Sequence, residues 1–459
     1  MFKNINCKNL PSLRRNIVYQ FLYELLIVFI PLFTIPYVSR VLGAENIGLF
    51  SYTYAVANYF VLFANLGIKN YGSRTIAMVR NNKEELNRNF SEILSIHIIF
   101  SIIVIFVYLV LLFFFVEDNL VIFLIQSIYV FAAVFDINWF FFGIEKFKLT
   151  VGRNTLVKIL SVFLVLVFVK TQTDLWIYAL ILALSVFVGQ SVVWFALKQY
   201  VSWRRPSWAN MKQHIRPLFV LFLPILALSL YKYMDKIMLG SISSNVQVGF
   251  YENAEKIINV PMSLIMAFGV VLMPRIANMV TSKDKGEVFK LIDMSMEAVM
   301  LLAIAISFGL AGISFVLAPI FFGYEFEECG ILIMGLAVTV PFMAFANVIR
   351  TQYLIPYKED KIFVVSLFLG AAVNLIVNII LIPYMAARGA VIGTIFAEII
   401  VCIYQSYFVR KKIFIKKYLL NTIPPILIGI VMFVFVFQIG NVMNINIVTL
   451  ILQLLVGMF

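Results

Sequence analysis

The sequence predicts an all-α polytopic membrane protein with about fourteen transmembrane helices, and two observations carry that prediction. Of its 459 residues, 63% are hydrophobic and 13% are charged, about half the charged share of a soluble protein. Apolar runs of about 20 residues, the length that crosses a hydrocarbon core of roughly 30 Å, recur along the chain. They lack the alternation of a barrel strand, so they predict helices.

The apolar runs define the predicted spans in order. They fall near residues 16–38, 47–68, 91–116, 120–143, 152–169, 175–197, 217–239, 250–273, 294–318, 330–353, 362–382, 388–409, 418–439 and 444–459. The last run is short. Lys and Arg then set the orientation, since cytoplasmic loops are enriched in them. Of 36 such residues, 29 lie on one side and four on the other. This predicts a multi-pass membrane protein with a cytoplasmic N-terminus.

An internal repeat predicts the domain organisation. Gly48, Asn58 and Arg74 recur as Gly249, Asn259 and Arg275, each shifted by 201 positions. We therefore expect an N-terminal six-helix bundle at 1–200, a cytoplasmic or interfacial linker at 201–216, a second six-helix bundle at 217–410 and two extra helices at 411–459. Both bundles would begin on the same side, which makes the repeats parallel.

Several functional classes are disfavoured by the sequence. The net charge of +13 comes from basic residues in short loops, so it does not indicate nucleic-acid binding. The three cysteines match no disulfide or metal spacing, and two histidines are too few for a histidine-based site. The chain lacks a Walker loop, an HExxH motif and a GxSxG motif. We therefore expect a protein that is not an enzyme and has no metal or cofactor.

The most informative stretch is YKYMDKIMLGSISSNVQVGFYENAEK at 231–256, because it places charge at membrane depth. A charged group there costs roughly 2.5–3.5 kcal/mol on insertion scales, so it usually has a function. One interpretation is a cationic cavity between the two halves that receives an anionic group, lined by Lys232, Lys256, Arg40 and Lys236, with Tyr231 and Tyr233 as a hydrated aromatic surface. The other is local neutralisation, through a Glu252–Lys256 pair and a Lys232–Asp235 pair along the helix.

Among the acidic residues within the predicted spans, three are candidates for ion coupling. Glu24 and Asp136 fall in the inner third of the membrane, and Glu398 lies near its middle. They predict either buried hydrogen bonds between helices or sites of ion coupling, and the sequence leaves both open.

Several motifs of the chain resemble those of a known family. They are RVLG (40–43) with IGLF (47–50), GIKNYGSR (67–74), WFFFGIEKFK (139–148), DKIMLG (235–240) with VGFY (248–251), and Asn374-x3-Asn378 followed by RGA (388–390) and Gly393-Thr394 through Glu398. In order and spacing they are similar to the Wzx-type oligosaccharide flippases, in the polysaccharide-transporter branch of the multidrug/oligosaccharidyl-lipid/polysaccharide (MOP) exporter superfamily.

The resemblance implies two six-helix bundles around a central cavity that opens alternately to each side. The implied substrate is an oligosaccharide repeat unit on undecaprenyl pyrophosphate, moved from the inner to the outer leaflet for capsular or other cell-surface polysaccharide. The implied partners are membrane lipid and, beyond the substrate, a polysaccharide polymerase and chain-length machinery. In the logic of this family, cations in the cavity meet the pyrophosphate.

Two alternatives remain open. The first is another MOP transporter, either a peptidoglycan lipid flippase or a cation-coupled drug exporter, although an exporter of organic cations would favour acids over lysines in its cavity. The second, of a different class, is a membrane polysaccharide polymerase or glycosyltransferase. Glu325-x-Glu327 superficially resembles the acidic pair of such an enzyme, but the predicted outer loops are short.

Overall fold

The computed structural model describes residues 10–281 and 285–458, with the side chains of residues 32–458 except 147, 148, 231 and 281–285. Within those ranges the regular structure is helical and contains no strand. The α-helices are α1 (Leu10–Asn65), α2 (Ile68–Val79), α3 (Lys83–Phe115), α4 (Leu120–Val134), α5 (Asn138–Gly143), α6 (Phe147–Phe168), α7 (Leu175–Leu197), α8 (Trp208–Ile242), α9 (Asn245–Thr281), α10 (Lys285–Phe322), α11 (Cys329–Ala337), α12 (Thr339–Ile349), α13 (Asp360–Val409), α14 (Ile415–Asn421), α15 (Ile423–Val442) and α16 (Ile447–Met458).

The described part of the chain has eleven helices that are long and apolar enough to cross a membrane. Two of the long helices are broken, α1 at Gly43 (φ 77°) and α13 at Ala386 (φ 47°). Both breaks fall where the sequence predicts a connection between two spans. The last apolar helix, α16, has 12 residues and is shorter than a full span. The all-α polytopic fold is confirmed, and the count of fourteen spans stays a prediction.

The chain separates into two compact units. The first contains Met1–Leu42 and Thr53–Ser229, and the second contains Gly43–Tyr52 and Leu230–Phe459. The short segment Gly43–Tyr52 therefore packs with the second unit although the chain on both sides of it belongs to the first. Gly43 makes this possible, because its positive φ is a conformation that side chains disfavour. The predicted division at 201–216 stays a prediction.

The first unit has an aromatic core where α2, α3 and α5 pack together. Phe90 stacks on Trp139 with ring centroids 5.6 Å apart, and Phe140 meets Phe90 edge-on at 4.9 Å. A Cβ atom on Gly72 would lie 2.5 Å from the Trp139 ring. Because Gly72 has no side chain, the Trp139 ring can pack directly against α2. The GIKNYGSR and WFFFGIEKFK motifs therefore contact each other in this core.

In the second unit, Gly48 packs against the helix that carries Gly249, and Gly249 packs against the helix that carries Gly48. A Cβ atom on Gly48 would lie 1.6 Å from the carbonyl oxygen of Asn245, and one on Gly249 would lie 2.1 Å from that of Ala44. Ala44 and Asn245 are themselves related by the shift of 201 positions. The segments Ala44-x3-Gly48 and Asn245-x3-Gly249 thus approach at backbone distance, which small residues such as glycine allow between helices in membranes.

Candidate substrate-binding site

The charged residues of α8 and α9 form an ion-pair network in the second unit. Lys236 Nζ lies 2.6 Å from a Glu252 carboxylate oxygen and 2.8 Å from one of Glu255. Lys256 Nζ lies 3.1 Å from the other oxygen of Glu252, four residues earlier on the same helix. The two cations and two carboxylates cancel in charge. The network therefore satisfies the charges locally, as the neutralisation interpretation expects for Glu252 and Lys256.

The predicted cavity cations differ in their surroundings. The Lys236 side chain is 9% exposed and that of Lys256 is 32% exposed. Lys232 is exposed, and its Nζ lies 5.3 Å from the centre of the Tyr233 ring. Arg40 is exposed and belongs to the first unit. Lys232 is thus the lysine of the 231–256 stretch that is best placed to meet a ligand, while the side chain of Tyr231 lies outside the described residues.

Asp235 does not follow the sequence interpretation that pairs it with Lys232. It is buried, and its two oxygens accept hydrogen bonds from Tyr251 Oη at 2.6 Å, Thr394 Oγ1 at 3.0 Å and Asn378 Nδ2 at 2.5 Å. Three neutral donors offset the cost of burying this carboxylate. The partners come from α9 and α13, between 16 and 159 residues away along the chain, so the pattern within α8 could not reveal them.

The Asp235 cluster is rich in oxygen atoms. Asn378 also donates to Asn374 Oδ1 at 3.1 Å, and its own Oδ1 is buried without a hydrogen-bond partner. One carboxylate with amide and hydroxyl oxygens is a ligand set that suits hard cations. The described residues contain no group of three or more His, Cys, Asp or Glu that could hold a metal ion.

The three acidic residues considered for ion coupling have different surroundings. Asp136 is half-buried, and its Oδ1 accepts the Asn138 N–H at 3.0 Å and its side-chain amide at 2.7 Å, which is a local contact two residues away rather than the expected bond between helices. Glu398 is buried in α13 and interacts electrostatically with Arg350. The side chain of Glu24 lies outside the described residues. Ion coupling through any of the three stays a prediction.

Known proteins share both the sequence pattern and the architecture of this chain. The family described as "Polysaccharide biosynthesis protein" matches residues 13–280, more than half of the chain. The chain belongs to this family. It is 24% identical to a putative O-antigen transporter of Shigella dysenteriae over 408 residues, covering 86% of this chain and 99% of that one. It is 26% identical to the putative O-antigen transporter of Escherichia coli K12 over 411 residues, covering 88% and 98%.

Solved structures support the same fold for this family member. The lipid II flippase MurJ in an inward closed conformation has a TM-score of 0.74 at 16% identity and covers 96% of both chains. A multidrug resistance MATE family transporter of the MOP superfamily, in an inward-facing conformation, has a TM-score of 0.65 at 13% identity and covers 85% of this chain and 97% of that one. The resemblance to Wzx-type members of the MOP superfamily is confirmed.

Proposed function

We propose that this protein is a flippase for oligosaccharide repeat units linked to undecaprenyl pyrophosphate. It moves them from the inner to the outer leaflet of the bacterial cell membrane by alternating access, for capsular or other cell-surface polysaccharide. The observation that carries the proposal is the similarity over nearly the whole length of two putative O-antigen transporters. It is a transporter rather than an enzyme, and its N-terminus lies in the cytoplasm. A polymerase and chain-length machinery would receive its product.

The charge arrangement supports an anionic substrate. In this proposal Lys232 contacts the pyrophosphate and Tyr233 contacts the sugars, while Lys256 and Arg40 stay candidate cations of the site. Lys236 has a different role from the one predicted by sequence alone, because it is buried between two carboxylates. It holds α8 against α9 and so positions Lys232 one turn away. The lipid tail stays in the bilayer, since a polar path is costly for it.

The alternative of a glycosyltransferase or polymerase is weakened by the surroundings of its acidic pair. Glu325 Oε1 accepts the backbone N–H of Ala44 at 2.8 Å, and neighbouring Glu328 pairs with Arg388 at 3.1 Å. Two of the three acids in this segment therefore serve as structural contacts. Lipid II remains the nearest competing substrate, since the MurJ of Bacillus subtilis is 28% identical over 45% of this chain.

Deleting the gene tests the function directly. We expect lipid-linked repeat units to accumulate in the inner leaflet, because the charged carrier crosses the bilayer only on a polar path. Labelling of the sugars from each side of membrane vesicles measures this. A control strain carrying the gene on a plasmid restores outward labelling. Normal outward labelling in the deletion strain contradicts the proposal, and accumulation of lipid II instead assigns the protein to peptidoglycan.

Lys232→Ala should lower transport on the order of tenfold or more, since a hydrogen bond to a charged group is worth roughly 1.5–3 kcal/mol. Because the side chain is exposed, the free energy of unfolding should change by less than about 0.5 kcal/mol. Flipping in proteoliposomes and thermal unfolding in detergent measure the two effects. Lys411→Ala, at an exposed lysine in the loop after α13, is the matched control. Equal transport by the two variants would remove Lys232 from the site.

A further inference from the structure

Outside the substrate site, a histidine, a glutamate and a tyrosine meet where α2, α3 and α8 pack in the first unit. The Glu92 side chain is 1% exposed and that of His214 is 3% exposed. His214 Nε2 lies 2.9 Å from Glu92 Oε2, and His214 Nδ1 lies 2.6 Å from the Tyr71 hydroxyl. Asn210 Nδ2 donates to the other Glu92 oxygen at 3.1 Å. The substrate site described above uses none of these groups.

This cluster can hold or release one proton without moving a heavy atom. With a neutral imidazole, Nε2–H donates to Glu92 and Nδ1 accepts the Tyr71 O–H. When a proton binds at Nδ1, Nδ1–H donates to the Tyr71 oxygen and the tyrosine O–H rotates away. Every hydrogen bond of the ring is kept in both states. The buried charge changes from the single negative charge of Glu92 to a neutral imidazolium–carboxylate pair.

The cluster lies close to solvent at two of its members. Tyr71 is half-buried and Asn210 is exposed, while Glu92 and His214 are buried. In the first unit, the other charged side chains of these helices and of the connections beside them are as follows: Lys69, Arg74, Lys83, Arg88, Arg205, Lys212 and Arg216 are exposed, Arg80 pairs with Glu145, Arg204 pairs with Glu84, and Glu85 is half-buried.

The cluster also fixes the first turns of α8. The segment before α8 is tied to the same face of α3, since the Ser202 N–H donates to Asn87 Oδ1 at 3.0 Å and the Arg204 N–H donates to Ser91 Oγ at 2.9 Å. His214 and Asn210 continue this row of contacts to Glu92. Helix α8 then runs on to Ile242 and carries Lys232 of the proposed substrate site. Two prolines, Pro217 and Pro224, lie in the helix after His214 and weaken its backbone hydrogen bonding.

We propose that Glu92, His214 and Tyr71 form a proton-binding site that controls how firmly the start of α8 is held to α3, and thereby the rate of transport. The effect on the rate of transport rests on the proposed flippase function, whereas proton binding by the cluster does not. The neutral ring donates a hydrogen bond to the charged carboxylate, whereas the protonated ring forms an ion pair with it and holds α8 more firmly. Transport therefore slows when the proton is bound.

Proton binding is tested on the full-length protein in detergent, independently of transport. The chain has two histidines, so protein labelled with 13C-histidine gives two ring signals, and His97→Gln leaves that of His214 alone. We expect this signal to move between pH 5 and 8.5, and the fluorescence of Trp203 and Trp208 to change over the same range. His214→Gln, whose amide still donates to Glu92, should abolish the fluorescence change. A ring signal that is constant over this range overturns the proposal.

Coupling to transport is tested in proteoliposomes with equal pH on both sides. We expect the rate of flipping to fall on the order of fivefold from pH 8 to 5.5, because protonation strengthens an existing hydrogen bond into an ion pair. His214→Gln should make the rate independent of pH, and His97→Gln should keep the wild-type profile. If Glu92→Gln and His214→Gln both fold and keep the wild-type profile, the proposal is wrong. If no substrate is flipped at any pH while the ring signal still titrates, the proposed function fails and the proton site stands.

Discussion

Gly48→Ala is expected to destabilise the protein severely, although it adds a single methyl group. The new Cβ would lie 1.6 Å from the Asn245 carbonyl oxygen and 2.8 Å from the Gly249 nitrogen. Both are backbone atoms, so no side-chain rotation can relieve the overlap. The two helix segments must separate, and the resulting loss should reach or exceed the roughly 1–3 kcal/mol of overpacked cores. We expect little folded protein in the membrane and a lower unfolding temperature in detergent.

Gly152 provides the matched control for this prediction. It lies in α6, is exposed, and a Cβ atom added to it would meet no other atom within 4 Å. Gly152→Ala should leave stability unchanged or raise it by up to about 1 kcal/mol through helix propensity. Unfolding temperatures for Gly48→Ala and Gly152→Ala that lie within error of each other would show that the backbone contact is looser than the structure indicates.

Lys236→Met is expected to have the second-largest effect. It removes the cation at 2.6 Å from Glu252 and 2.8 Å from Glu255 while leaving both carboxylates in place. Glu252 keeps Lys256 at 3.1 Å, but the contact between α8 and Glu255 is lost. Breaking a buried pair from one side costs about 3–5 kcal/mol. Thermal unfolding in detergent measures the loss, and transport should fall with it because the ion pairs between α8 and α9 one turn from Lys232 are lost.

Two further variants separate charge from packing in this prediction. Glu255→Gln combined with Lys236→Met removes one unneutralised carboxylate and should recover part of the lost stability. Lys232→Met, one turn earlier on the same helix and exposed, should leave the unfolding temperature nearly unchanged. A Lys236→Met protein as stable as the Lys232→Met protein would mean that the ion pairs contribute no net stability.

The fold was largely predictable because the bilayer restricts the possible structures. Spans must be about 20 residues long and must satisfy their backbone groups internally, so apolar runs predicted the helices. The breaks at Gly43 and Ala386 lie in predicted connections. The packing of Gly43–Tyr52 with the second unit was not predictable, since no local property of ten residues states which distant helices they contact.

The site was predicted less completely. Local spacing identified Glu252–Lys256, four residues apart, and singled out Lys232 as the lysine to test. It assigned Asp235 to the wrong neighbour, because Asn378 lies 143 residues away in the chain. His214 was also set aside, because two histidines are too few for a histidine-based site. The sequence alone cannot show that His214 contacts Glu92, which lies 122 residues away in the chain.

Hydropathy and composition are properties of the chain alone, so they were enough to establish a helical membrane protein with charge concentrated in 231–256. Which of those charges are neutralised depends on how the helices pack. Lys236 and Lys256 share Glu252, while Lys232 is exposed beside Tyr233. The physical reason is that an ion pair needs its atoms within about 4 Å, and helix packing brings residues from separate helices to that distance.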